Sequence, residues 1–287
     1  MTGYMKFNQK HAILQMLTFN TNNYEISSKD KYVGDEHFAY VLDKTQKLNL
    51  APSTMQLLLY ILVKASALNL NENTRQVSIS LAEYLKLSKK NNEISGRRKI
   101  HEDLNKIRSL HIRFRDNERQ KDFLDMNLFS VIEGKFQGGE ISTTFTPEFI
   151  AYYNALPKMY LPNKIFEIDT RYNPNAFYIL LTLSYFYNVN KNNKERSNTI
   201  PIRTLINYCP KLPNDYSDIR KSGQSYQRII KPFERDMQAI SNIIDWYYLD
   251  LFGNVQQMGK KSLNSFLESK IHFEFNNMPK LSNNMEI

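Results

Sequence analysis

The stretch SGRRKIHEDLNKIRSLHIRF, Ser95 to Phe114, reads as a basic helix running into a strand. Stepped at about 100° per residue, Ile100, Leu104, Ile107 and Leu110 gather on one face, the pattern of a helix laid on a core. Arg98, Glu102, Asn105 and Ser109 lie opposite, flanked by Arg97, His101, Lys106 and Arg108. Arginine can read guanine, asparagine can read adenine, and lysine or arginine grips phosphate. A solvated amphipathic helix of no special purpose has a similar make-up, so the surroundings must decide.

Upstream, APSTMQLLLYILVKASAL predicts a helix opened by Pro52 and Ser53, with Met55, Leu58, Leu59, Leu62 and Val63 at helical spacing. QVSIS alternates as a short strand. SLAEYLKL predicts a short helix with Ser80 as cap and Glu83 in capping-box register. Downstream, LHIRFRD, FLDMNLFSVIEGKF and GEISTTFT read as strands, with a hairpin turn at Gln137-Gly138-Gly139. Helix, strand, helix, helix and hairpin are the order of a winged helix, with the wing expected near Arg113–Gly139.

The pattern recurs. YNPNAFYILLTLSYFY sets Pro174, Phe177, Leu180, Leu181 and Tyr185 against Pro52, Met55, Leu58, Leu59 and Val63, each at an offset of 122. TIPIRTLINY sets Ile200 and Ile202 against Val77 and Ile79, and SYQRIIKPFERDMQAI sets Ile229 against Ile100, at an offset of 129. IIDWYYLD and LESKIHFEF supply strands for a second wing, expected near Asp250–Glu268. The fold expected is therefore α+β: two tandem winged helices, each a helix-turn-helix with a β-wing, related as an internal repeat. The expected divisions are a polar arm over 1–35 with a short ordered piece at His11–Leu17, a first unit over 36–153 and a second over 154–287. Two prolines in NALPKMYLPN mark the boundary.

The second basic helix has the more telling surface. Ile229, Phe233, Met237 and Ile240 form its apolar face. Gln224, Gln227, Arg228, Lys231, Arg235 and Gln238 lie opposite: three cations, three amides and no carboxylate. Solvated helix faces mix signs for pairing at i, i+4. Pro232 is expected to kink this helix, because its ring meets the carbonyl of Arg228.

Those residues resemble the iteron-binding plasmid replication initiators, proteins with two tandem winged helices. SYQRIIKPFERDMQAISNIIDWYYLD is similar to that family's second recognition helix and following strand. FAYVLDKTQKLNLAPSTMQLLLYIL and LPKMYLPNKIFEIDTRYNPNAFYILLTL look like the openings of its two domains, and the likeness spans roughly residues 38–275. The resemblance implies a protein that binds double-stranded repeats at a plasmid origin through both winged helices. It also implies recruitment of the host replicative helicase or its loader, and a homodimer whose contacts lie in the first domain. Candidate DNA contacts are Arg97, Arg98, His101, Asn105, Lys106, Arg113 and Arg115 in the first unit. In the second they are Gln224, Gln227, Arg228, Lys231, Arg235, Gln238, Lys260 and Lys261. A transcriptional regulator or phage replisome organiser on the same scaffold is the alternative, and a scaffold that binds proteins a further one.

Composition agrees with a polyanionic partner. Lys and Arg exceed Asp and Glu by nine, and the pI is about 9.3. Hydrophobic residues are 41% of the chain, enough for packed cores. The single cysteine, Cys209, excludes an internal disulfide and reads as a small buried residue. The N-terminal stretch lacks a signal peptide's apolar run, and no long apolar span is present, so a cytoplasmic protein without membrane contact is expected.

Enzyme signatures are weak. No two of His11, His37, His101, His111 and His272 are two residues apart, as a nickase metal site requires. GNVQQMGKKS imitates a P-loop but has five residues between its glycines, and is expected to open no helix. Glu167 with Asp169, and Asp215 with Asp218, lack a third ligand at a recognised spacing. No catalytic residue, metal or cofactor is therefore expected.

Overall fold

A computed structural model describes residues 3–9, 11–18, 32–34, 38–41, 50–68, 70–71, 73–89, 94–116, 121–135, 139–190, 193, 198–213, 223–259 and 261–276. The chain begins with β1 (Tyr4–Asn8) and α1 (His11–Leu17). The first unit follows as β2 (Tyr32–Gly34), β3 (Phe38–Val41), α2 (Pro52–Ala67), β4 (Gln76–Ser80), α3 (Leu81–Leu87) and α4 (Ile94–Arg108). It continues through β5 (His111–Asp116), β6 (Lys121–Asn127), β7 (Phe129–Lys135), β8 (Glu140–Phe145) and α5 (Pro147–Asn154). β9 (Lys158–Pro162) and a 3-10 turn (Asn163–Glu167) lead to α6 (Ala176–Asn190), β10 (Thr199–Pro201) and α7 (Ile202–Asn207). A π-helical turn (Tyr226–Ile230) then runs into α8 (Lys231–Gln238), followed by β11 (Ile244–Leu249), β12 (Val255–Gln256), α9 (Leu263–Glu268) and β13 (Lys270–Phe275).

Local chemistry sets these bounds. Pro52 occupies the first turn of α2, where its missing N–H costs nothing. The Ser80 hydroxyl accepts from the Glu83 N–H at 3.3 Å and caps α3. Gly139 adopts φ +68°, a left-handed turn between β7 and β8 that suits glycine.

The two units share one sheet topology. Strand order is β4-β8-β7 in the first and β10-β13-β11-β12 in the second, antiparallel at each recorded pairing. In both, the strand after the first helix pairs with the last strand of the wing, which pairs in turn with β7 in the first unit and with β11 in the second. This is the winged-helix arrangement, present twice.

Three expectations about the wings are corrected. LHIRFRD is not a wing strand: β5 pairs with β3 and β6 in a separate four-stranded sheet, order β2-β3-β5-β6. FLDMNLFSVIEGKF is two strands, broken at the fully buried Leu128, so the first wing is β7 with β8. In the second, LNSFLE is helical: Ser262 caps α9, which buries Leu263, Phe266 and Leu267 at i, i+3 and i+4.

The repeat is closer than its sequence spacing suggested, and its register differs. An offset of 121 matches Ile79, Leu81, Tyr84, Leu85 and Ser88 to Ile200, Ile202, Leu205, Ile206 and Cys209, all buried. The Ser88 hydroxyl donates to the carbonyl of Tyr84 at 2.7 Å, and the Cys209 thiol to that of Leu205 at 3.4 Å. Cys209 is thus the second copy of Ser88. From there an offset of 133 matches Ile100, Asp103, Leu104, Ile107 and Leu110 to Phe233, Asp236, Met237, Ile240 and Ile243, again all buried. Ile100 therefore corresponds to Phe233, one turn beyond Ile229. The difference, 133 − 121 = 12 residues, lies between Cys209 and Gln227.

The N-terminal segment differs from an arm. β1 pairs antiparallel with β9, Tyr4 opposite Pro162 and Asn8 opposite Lys158. Phe7, Ile13, Leu14, Met16 and Leu17 are wholly buried. The Tyr40 hydroxyl donates to the carbonyl of Met16 at 2.7 Å, and the Tyr4 hydroxyl to that of Asn276 at 2.6 Å. Few apolar residues suffice here because each completes an existing sheet or core.

α2 is fastened to the 3-10 turn through hydrogen bonds from Gln56. Gln56 is fully buried, and its amide NH2 donates to the carbonyls of Ile165, Phe166 and Ile168 at 3.0, 3.1 and 3.3 Å. Carbonyls at the end of a helical turn lack intrahelical donors and need such partners. Gln56→Leu keeps the volume and removes the donor. It is expected to cost about 1–3 kcal/mol, read as a lower urea midpoint at unchanged slope.

Candidate nucleic-acid interface

α4 is seated by a buried carboxylate. Asp103 is 2% exposed and accepts from the Thr54 hydroxyl at 2.7 Å, in the first turn of α2, and from the Lys99 ammonium at 3.1 Å. With Ile100, Leu104 and Ile107 it fixes which face turns inward. Arg98, His101, Glu102, Asn105, Arg108 and Ser109 are left exposed, with Arg97, Lys99 and Lys106 half-buried. Glu102 lies 3.5 Å from Arg98 and 3.9 Å from Lys99, and the Asn105 amide lies 3.4 Å from His101 Nδ1.

α8 repeats the device. Asp236 is fully buried and accepts from the backbone N–H and side-chain amide of Asn175, at 3.1 and 3.0 Å, just before α6. Arg235 adds Nε at 3.1 Å and Nη2 at 2.8 Å. Burial raises the Asp236 carboxyl above the usual range, and the donors from Arg235 and Asn175 pull against that rise. In each unit the recognition helix is thus pinned to the start of the first helix, where unpaired N–H groups and the helix dipole favour an anion.

Pro232 does not break the helix. The Lys231 N–H bonds to the carbonyl of Tyr226, widening one turn to π geometry immediately before the proline. Backbone angles stay helical at Ser225, Ile230 and Lys231. A π turn is a common local remedy at such positions and is frequent at functional sites. Gln224, Gln227, Arg228, Lys231, Arg235 and Gln238 are all exposed. The carboxylates of this helix point elsewhere: Asp236 inward, and Glu234 toward the wing. Glu234 accepts there from the Tyr248 hydroxyl at 3.3 Å and the Gly259 N–H at 3.1 Å. In matched register Lys231 stands where Arg98 does, Gln238 where Asn105 does, and Arg235 replaces Glu102.

The wing residues separate. Arg113 forms a two-point bridge to Asp125 across the β5–β6 hairpin, at 2.6 and 2.9 Å, away from the wing. The side chain of Arg115, and Lys260 altogether, lie outside the described residues. The Lys261 ammonium donates to Gln256 at 2.7 Å and sits 3.9 Å from the Tyr248 ring centre. Burial lowers its pKa, so Lys261 braces the wing rather than reaching outward. GNVQQMGKKS does open a helix, α9, contrary to expectation, but its side-chain contacts hold the wing together.

Glu167 pairs with Lys89 at 2.9 Å, and Asp169 with Arg171 at 3.1 Å. Asp215 and Asp218 lie outside the described residues. Among the described residues no three His, Cys, Asp or Glu side chains gather as metal ligands, and no helix is long and apolar enough to cross a membrane.

The anchoring carboxylates and their partners Thr54 and Asn175 escaped the sequence reading, although a signal exists. An aspartate sits three residues into the same apolar spacing in both copies, IHEDLNKIRSL and FERDMQAISNI.

Two winged helices with outward basic helices form a surface suited to a polyanion such as DNA. Residues 40–168 match the family described as Initiator Replication protein, WH1. Over that stretch the chain is similar to the replication initiator proteins. The Pi initiator protein, solved in complex with iteron DNA, shares the fold at 13% identity, covering 96% of this chain and 97% of its own, with a TM-score of 0.52. Domains 2 and 3 of RctB cover 92% of this chain and 98% of their own, at 9% identity and a TM-score of 0.45. No curated protein matches the chain in sequence.

Asp236→Ala removes the acceptor from the Asn175 amide and backbone. It is expected to lower stability by about 1–3 kcal/mol, measured by chemical denaturation. Asp236→Asn, which can still accept, should lose less.

Proposed function

We propose that the chain initiates replication of a plasmid by binding repeated duplex sequences at its origin through both winged helices, α4 and the Tyr226–Gln238 helix each entering a major groove. The units proposed are 36–153 and 154–287, with β1 and α1 completing their packing. The observation that carries the reading is the outward face of the second helix. It has three cations and three amides, and its neighbouring carboxylates are turned into the core or the wing. Cations supply the salt-dependent grip on phosphate, while amides and arginine read base edges.

In this reading the protein acts by binding, without a catalytic step of its own. It works in the cytoplasm, recruits the host replicative helicase or its loader, and dimerises through its first unit. The first helix, with Glu102 among its cations, divides its surface between DNA and a partner.

A footprint on the origin of the same replicon tests the target. Arg228→Ala and Lys231→Ala should each weaken binding, by about 1–3 kcal/mol where the residue reads a base. A residue that grips only phosphate should instead reduce the salt slope by about 1. Arg113→Ala, whose guanidinium is bound to Asp125, should leave the slope unchanged. Unchanged origin binding in the Arg228→Ala/Lys231→Ala double variant rejects the second helix as a reader.

A further inference from the structure

The tip of the second wing exposes large apolar residues that the described core leaves uncovered. Phe252 is 90% exposed, Val255 70%, Leu251 61% and Met258 59%. The turn that presents them is firmly built. Asp250 Oδ1 accepts from the N–H groups of Phe252 and Asn254, both at 2.8 Å, and Oδ2 from the Asn254 amide at 3.0 Å. The Asp250 N–H bonds to the carbonyl of Asn254 at 2.9 Å, and Gly253 takes φ +87°. These donors hold the Asp250 carboxyl below the usual range. The aromatic ring is thus held out in water by a turn whose polar groups are occupied in holding it.

Its setting favours nucleic acid over protein. Leu251–Ser262 contains two glutamines, an asparagine and two lysines, of which Lys261 is turned against Tyr248, and the carboxylate of the turn, Asp250, is engaged by the Asn254 amide and by backbone N–H groups. The base of the wing is bonded through Tyr248 and Gly259 to Glu234, next to Arg235 on the cationic face of α8. An apolar tip beside amides and cations is the composition of a minor-groove wedge, where an inserted side chain partly unstacks a base step and bends the duplex.

We propose that Phe252, flanked by Leu251, is a wedge that enters the minor groove beside the site of α8 and unstacks one base step, preferring flexible A·T-rich steps. The inference rests on the DNA-binding reading above. Pyrimidine–purine steps such as TA unstack most readily, so the wedge would add sequence preference at base pairs that no polar side chain reads.

The test uses the full chain and the origin segment of its own replicon, with adenines replaced one at a time by 2-aminopurine. Binding should raise fluorescence at one step, and a circular-permutation assay should detect a bend. Phe252→Ala should abolish that rise, reduce the bend and weaken binding about fivefold or more, the scale of losing one stacked base. The salt slope, set by phosphate contacts, should not change. Phe252→Trp should restore both signals, and the melting of Phe252→Ala, followed through Trp246, should match the parent. A rise and bend that persist in Phe252→Ala overturn the wedge. So does full DNA distortion by Phe252→Ala with loss only of binding to a protein, which assigns the tip to protein docking. Failure of the parent to bind the origin segment is a different result and rejects the initiator reading itself.

Discussion

Each winged helix depends on a carboxylate removed from water. Asp103 and Asp236 sit at the same place in the two recognition helices and bond to the start of the first helix of their unit, through Thr54 and Asn175. Burying a charge is costly unless donors surround it. The position near a helix N-terminus offers such donors. An apolar stripe alone allows a helix to roll by a fraction of a turn. A directional bond among the apolar contacts fixes the rotation, and with it which side chains face outward.

That fixing explains the charge of the outer faces. Counted by sequence, Lys231–Gln238 holds two cations and two acids. In three dimensions Asp236 belongs to the core, where it pairs with Arg235, and Glu234 to the wing, so neither acid of this segment stands on the outer face. The first helix keeps Glu102 outside, beside Arg98 and Lys99, and its field is weaker. The two copies have one scaffold and different surfaces.

What could be read beforehand was local. The alternation of QVSIS and the cap at Ser80 act within a few residues and stand as read; of the turn at Gln137-Gly138-Gly139 only Gly139 lies within the described residues, and its φ of +68° suits a turn. Partner choice between strands was not legible. The alternation in LHIRFRD says that it is a strand, but the pairing with β3 depends on residues some seventy positions earlier. α9 was missed although Leu263, Phe266 and Leu267 carry a helical spacing, because six residues fit either period. At the candidate interface, the exposed helix faces were legible from periodicity. The engagement of Arg113 with Asp125 and of Lys261 with Tyr248 was not, since each needs a contact across a hairpin or a wing.

The bond from Tyr4 to Asn276 spans 272 residues of chain, and β1 finds its partner strand only at Lys158–Pro162. A ribosome that adds about 5–20 residues per second therefore releases β1 roughly ten seconds or more before β9 exists to receive it. Phe7 must wait through that interval without its sheet. The closing contact comes later still, when Asn276 leaves the exit tunnel, so a strand made early is among the last to be secured.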